Sequence, residues 1–185
     1  MISRKGWIPA ILLVLSLTLI AGCTGQTGNN TVKVGDNVSV DYIGSYDNGS
    51  IFDTSIASVA QDAGIYSPYR DYAPLSFVAG SGDMISGFDN ATIGMKAGET
   101  KNVTLAPKDA YGEYNPELIL PVNMSILTSS NITPQVNDTL YYNMQPVRVH
   151  SIPNNSTVFI DFNNRMAGKT LHFMITVKDI QAVSA

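Results

Sequence analysis

One cysteine, Cys23, and two histidines, His150 and His172, are all that this 185-residue chain has of the strongest metal-binding and redox side chains. A single thiol has no disulfide partner within the chain, and two isolated imidazoles on strand-like segments do not build a usual metal site, so no metal or cofactor is expected. Charge is sparse as well: 14% of residues are Asp, Glu, Lys or Arg, and the formal net charge is −4. Without a surplus of cations the chain cannot neutralise a phosphate backbone, which excludes nucleic acid as a partner. A bilayer span needs about 20 consecutive apolar residues, and the apolar stretch from Trp7 to Ile20 falls short of it.

That stretch has another reading. Arg4 and Lys5 precede it, and Leu19-Ile20-Ala21-Gly22 leads into Cys23, the layout of an export signal of residues 1–22 with small residues before its cleavage point. The spacing resembles a lipobox, in which cleavage before the cysteine is coupled to lipid attachment on its sulfur. The expectation is a membrane partner, reached through lipid on Cys23 or through an uncleaved signal anchor, with the folded part on the extracytoplasmic face. Loss of Arg4 and Lys5 would leave 9 basic against 15 acidic side chains, a net charge near −6. Asparagine sequons recur from Asn29 to Asn155, the density either of a glycosylated surface protein or of an Asn/Ser/Thr-rich surface whose sequons go unused. Residues 23–31 contain no large apolar side chain and read as a flexible tether.

Beyond the tether the hydrophobic pattern switches between two periods. Val38, Val40 and Tyr42 alternate with polar residues as in a half-buried strand, Asp47-Asn48-Gly49 reads as a tight turn, and Ile51-Phe52-Asp53 returns as the second arm. A helical turn is expected around Ile56 to Ala63, and a strand over Leu75 to Val78, broken at Gly80-Ser81-Gly82. Ile85, Phe88, Ala91 and Met95 are spaced as one face of a short helix that Gly98 is expected to stop. Thr100 to Leu105 and Thr170 to Val177 alternate again. Between them, residues 119–162 scatter Val, Leu, Tyr and Met among Asn, Ser and Pro, and predict several short strands with turns at Asn137-Asp138 and Pro153-Asn154-Asn155.

Three ordered groups of residues carry a family likeness. The first is Val40-Asp41-Tyr42-Ile43-Gly44 with Asn48-Gly49-Ser50-Ile51-Phe52-Asp53-Thr54-Ser55. The second is Pro74-Leu75-Ser76-Phe77 with Met84-Ile85-Ser86-Gly87-Phe88 and Gly94-Met95-Lys96-Ala97-Gly98-Glu99. The third is Pro107-Lys108-Asp109-Ala110-Tyr111-Gly112-Glu113 with Asn163-Asn164-Arg165-Met166-Ala167-Gly168-Lys169-Thr170-Leu171-His172-Phe173. Together they resemble the FK506-binding-protein (FKBP) family of prolyl isomerases, and within it the SlyD-type branch.

The resemblance implies an α+β fold, an antiparallel sheet wrapped around a short helix, formed by residues 32–118 and 163–185, with a small β-rich insert-in-flap domain at 119–162. It implies an enzyme acting on unfolded or proline-containing polypeptides, a monomer by default. Tyr42, Phe52, Asp53, Tyr111 and Phe173 are the expected catalytic residues, and Leu75, Phe77, Met84, Ile85 and Phe88 complete the pocket. Phe88 stands where many members place Trp, so its smaller ring should leave the floor deeper or let it repack. In the insert, Ile126, Leu127, Leu140, Tyr141, Tyr142 and Met144 are candidates for an apolar surface that captures unfolded segments, Met and Tyr being suited to adaptable contacts. Asn164 replaces a histidine common in the SlyD-type branch, and the His/Cys-rich tail of some bacterial members is absent. A holdase without isomerase activity, or a surface binding lipoprotein on the same scaffold, are the competing classes.

Overall fold

The computed structural model describes residues 31–182. The expected signal segment, Cys23 and the tether as far as residue 30 lie outside the described residues. Thr31, its last residue, forms an isolated bridge with Lys96. Among the described residues no helix is long and apolar enough to cross a membrane.

Two antiparallel sheets organise the chain. In the first, β1 (Asn37–Tyr46) lies between β9 (Leu171–Gln181) on one side and, on the other, β2 (Ile51–Thr54) and β3 (Leu75–Val78), which pair with its two halves; β4 (Thr100–Leu105) extends the sheet beyond β9. Alternation decides which face is buried. Val40, Tyr42 and Gly44 lie opposite Val177, Ile175 and Phe173, so the apolar sets of β1 and β9 coincide on one face. Onto that face presses α2 (Ser86–Thr92) with Phe88 and Ala91, followed by Met95, closing a core with Val38, Phe77, Leu105 and Leu171. Each such side chain contributes about 1.5–3 kcal/mol by leaving water.

The helix ends earlier than its periodicity suggests. After Thr92 the chain turns extended at Ile93, Gly94 takes φ +81°, and residues 94 and 95 exchange backbone hydrogen bonds with Val32. Tertiary pairing with the entering chain therefore takes the Gly94 donor and the Met95 acceptor that another helical turn would use. Gly98, the expected stop, instead shapes the Lys96–Glu99 turn and donates its N–H to the Val177 carbonyl at 2.8 Å. The segment after β2 does contain a helical turn, α1 (Ala57–Asp62).

The second sheet has the order β5 (Ile119–Asn123), β8 (Thr157–Asp161), β7 (Gln145–Asn154), β6 (Thr139–Tyr142). Its own core is Val147, Val149, Val158 and Ile160, with Met124, Leu127 and Leu140 packed against it. One element there departs from the strand-only expectation: Met124–Ser129 forms a helix, α3. Asn123 caps it by accepting from the Ser125 N–H at 3.0 Å, a favoured role for asparagine. The β6–β7 hairpin also turns at an unforeseen place, Asn143-Met144, both with positive φ.

Candidate active site

The site grows from the β1–β2 hairpin, whose register sets Asp53 opposite Gly44. Tyr42 donates its hydroxyl hydrogen to Asp53 Oδ2 at 2.7 Å. The neighbouring backbone is fixed from both sides: Thr54 Oγ1 donates to the Tyr42 carbonyl at 2.7 Å, and Ser55 Oγ accepts the Tyr42 N–H at 3.0 Å while donating to Asp41. Burial first, then the hydrogen bond and charge of Asp53, push the Tyr42 pKa up to about 12 against the opposing effect of Arg70. The phenol therefore stays protonated, and Asp53 is held as an acceptor.

Arg70 completes this network and was not among the residues singled out from sequence. Its guanidinium pairs with Asp53 and donates from Nη2 to the Tyr42 hydroxyl at 3.0 Å. The long segment from residue 55 to 74 delivers it. There the Tyr66 and Tyr72 rings stack at 5.2 Å, Arg70 lies 5.2 Å over the Tyr72 ring, and the Tyr72 hydroxyl accepts the Ser67 N–H at 3.1 Å. An arginine amid Tyr66, Tyr69 and Tyr72, in a chain poor in cations, is the signal that could have pointed to it.

Beside this polar edge lies an aromatic cluster centred on Phe88. Its ring is 5.3 Å from Phe173, 5.9 Å from Tyr42 and 6.0 Å from Phe77, the first two nearly edge-on. Phe52 joins by an edge contact with Phe173 at 5.7 Å. Gly44 permits that contact, because a Cβ there would stand 2.7 Å from Phe52 Cζ. Phe77, Phe88 and Phe173 expose only 6%, 3% and 6% of their surface. They form a packed base rather than the lining of an open pocket, so the smaller ring at position 88 leaves a filled floor. Leu75, Met84 and Ile85 are half-buried against the same core.

The open volume meets this cluster at Phe52. A cleft of about 530 Å³ is lined by Phe52, Asp53 and Tyr111 on one wall and by Tyr142, Gln145 and Arg165 among its other residues. Tyr111 is 40% exposed, and among the described residues its hydroxyl has no hydrogen-bond partner. Burial first, and then the charge of Asp53, raise its pKa, with Arg165 opposing. The site thus offers an apolar ring, a protonated hydroxyl and a committed carboxylate, a set suited to binding and orienting an amide.

The sequence-selected residues of the second sheet divide. Leu140 and Leu127 turn into its core. Ile126, Tyr141, Tyr142 and Met144 are exposed, and Tyr142 packs edge-on to Phe162 at 5.7 Å. Among the described residues no group of three or more His, Cys, Asp or Glu gathers as metal ligands.

Known proteins are similar to this chain. The family model described as FKBP-type peptidyl-prolyl cis-trans isomerase matches residues 28–178. A short-type peptidyl-prolyl cis-trans isomerase of Methanocaldococcus jannaschii is 40% identical over 152 residues, which cover 82% of this chain and 96% of the relative. The FKBP-type peptidyl-prolyl cis-trans isomerase SlyD of Aeromonas hydrophila is 26% identical over 154 residues, covering 80% of this chain and 64% of the relative. FK506-binding protein 1A of Neurospora crassa is 33% identical over 105 residues, 57% of this chain and 77% of its own length.

Proposed function

The chain belongs to the FKBP-type peptidyl-prolyl cis-trans isomerases, and we propose that it acts on Xaa-Pro bonds of exported, unfolded polypeptides in the cleft between Phe52, Asp53 and Tyr111. The observation that carries this reading is the placing of Phe52 and Tyr111 on one open cleft beside the Tyr42–Asp53–Arg70 network. Residues 119–162 serve as an insert-in-flap module that captures unfolded segments, and lipid on Cys23 holds the enzyme at the extracytoplasmic face of the membrane.

The chemistry needs no nucleophile. Amide resonance opposes rotation with a barrier of about 18–20 kcal/mol, and Xaa-Pro bonds interconvert uncatalysed over about tens to hundreds of seconds. The planar amide has more charge separation than the twisted form, so moving the bond from water onto Phe52 and its aromatic surroundings raises the planar state relative to the twisted one. Tyr111 donates its hydroxyl hydrogen to a substrate carbonyl and fixes which side of the bond turns. Asp53, engaged by Tyr42 and Arg70, orients the edge of the site and transfers no proton.

Refolding of a proline-limited protein tests this reading. Wild type should accelerate the slow phase, and Phe52→Ala with Tyr111→Ala should reduce that acceleration by about tenfold or more, since each tenfold reflects only about 1.4 kcal/mol in the barrier. Equal rates for the two proteins would refute the cleft as the site. The exposed Tyr141 and Met144 favour the holdase as a second reading; it requires suppressed aggregation with no acceleration.

A further inference from the structure

Few cations are spread over this chain, yet several gather where the two sheets meet. Two clefts of about 530 Å³ each flank the segment that leaves β8: one opens on Phe52 and Tyr111, the other on Tyr114, Tyr141 and Arg148. Arg165 lines both, and Lys169 lines the second. The carboxylates on these walls are already engaged. Asp53 is paired with Arg70, and Asp161 accepts from Arg148 at 3.1 Å, Tyr114 at 3.2 Å and Asn163 at 2.9 Å. Arg165 and Lys169, in contrast, have no carboxylate partner among the described residues, and Lys169 Nζ rests 5.5 Å over the Tyr46 ring.

The position of Arg165 is fixed even though its side chain is exposed. Asn164 Oδ1 accepts the Met166 N–H at 2.8 Å and the Asn164 carbonyl accepts the Ala167 N–H at 2.8 Å. Met166 is buried in the main core. The backbone is therefore pinned on the far side of Arg165, and the guanidinium is left at the junction of the clefts. Clefts with low-dielectric walls and charge of one sign concentrate ligands of the other sign.

We propose that Arg165 and Lys169 make this junction a reader of negative charge, so that the enzyme prefers prolines flanked by an acidic segment of the polypeptide. The proposal rests on the groove at Phe52 and Tyr111 and names a specificity for it. A substrate lying in that groove continues past Tyr111 into the cleft that Arg165 overlooks, and a Glu or Asp in that continuation meets an uncompensated cation. Rim charges act mainly on encounter and on choice of partner, and salt weakens them.

The test is a series of prolyl peptides carrying Glu, Gln or Lys at each of three positions on either side of the proline, assayed in low and high salt. At one position or more, kcat/KM for Glu should exceed that for Lys by about three- to tenfold in low salt, mostly through KM, and the ratio should fall in high salt. Arg165→Gln together with Lys169→Gln should bring the ratio towards one, while Arg165→Lys retains part of it. Equal turnover of Glu and Lys peptides at every position, or a preference that survives the double variant, overturns this proposal alone. No turnover of any peptide, Gln included, overturns it together with the groove on which it rests.

Discussion

Met144 lies at φ +62° and is 92% exposed, in a two-residue hairpin turn whose second central position favours glycine. A left-handed backbone costs an L-residue about 1–2 kcal/mol. The β6–β7 ladder on either side holds the turn against that penalty, and local strain of this kind is found at functional sites. Met144→Gly should therefore raise stability by about 0.5–1 kcal/mol, the relief being reduced by the freer unfolded chain, and should weaken capture of an unfolded client. Denaturant midpoints and client titrations measure the two effects. A more stable variant with unchanged client binding would remove the thioether from the capture surface. At this scale the sequence was partly readable. Tyr42, Phe52, Asp53 and Tyr111 were singled out because they stand in an ordered motif, while Arg70 escaped because 17 residues separate it from the Asp53 it pairs with.

Among the elements, the two strands of chain that connect the sheets are tied side by side. Asn163 accepts the Asn115 N–H and donates to the Asn115 carbonyl, both at 2.9 Å, and Gly168 donates to Gly112 at 2.8 Å. Asp161, with 5% of its side chain exposed, is the acceptor at the centre. Burial acts to raise its pKa, but hydrogen bonds from Asn163, Arg148 and Tyr114 outweigh that and hold it below the ordinary range. A folded pKa below the unfolded one means that the contribution is present at neutral pH and is lost as pH falls below about 3.9 towards the folded value. Asp161→Asn should be less stable by about 1–3 kcal/mol at pH 7, and the difference should shrink in acid. Urea unfolding across pH measures this; a constant difference would show that ionised Asp161 is not what ties the connection. The strands of the first sheet were readable because each has one wet and one dry face. The end of α2 was not, since Val32 supplies the partner that stops it, and α3 was missed because Met124-Ser125-Ile126-Leu127-Thr128-Ser129 carries weak helix propensity and depends on its Asn123 cap.

For the whole molecule, the proposed setting is an acidic enzyme on a tether whose substrates must reach a groove between two sheets. Cys23→Ser should release the protein from membranes into the soluble fraction, measured by fractionation and immunoblotting; continued membrane association would refute lipid attachment at Cys23. The sequence by itself determined the family, the half-buried strands and the identity of the aromatic residues, because periodicity and motif spacing are local properties of a chain. Tertiary structure decided the rest. It showed that Phe77, Phe88 and Phe173 close into a packed core, joined through Phe52 to a cleft that Tyr111 also lines. It brought Arg70 to Asp53 and left Arg165, where two clefts meet, without a carboxylate partner among the described residues. Whether a ring lines a pocket or fills a core, and whether a cation is paired or free, depends on neighbours distant in sequence, and packing and charge pairing act only once those neighbours are in place.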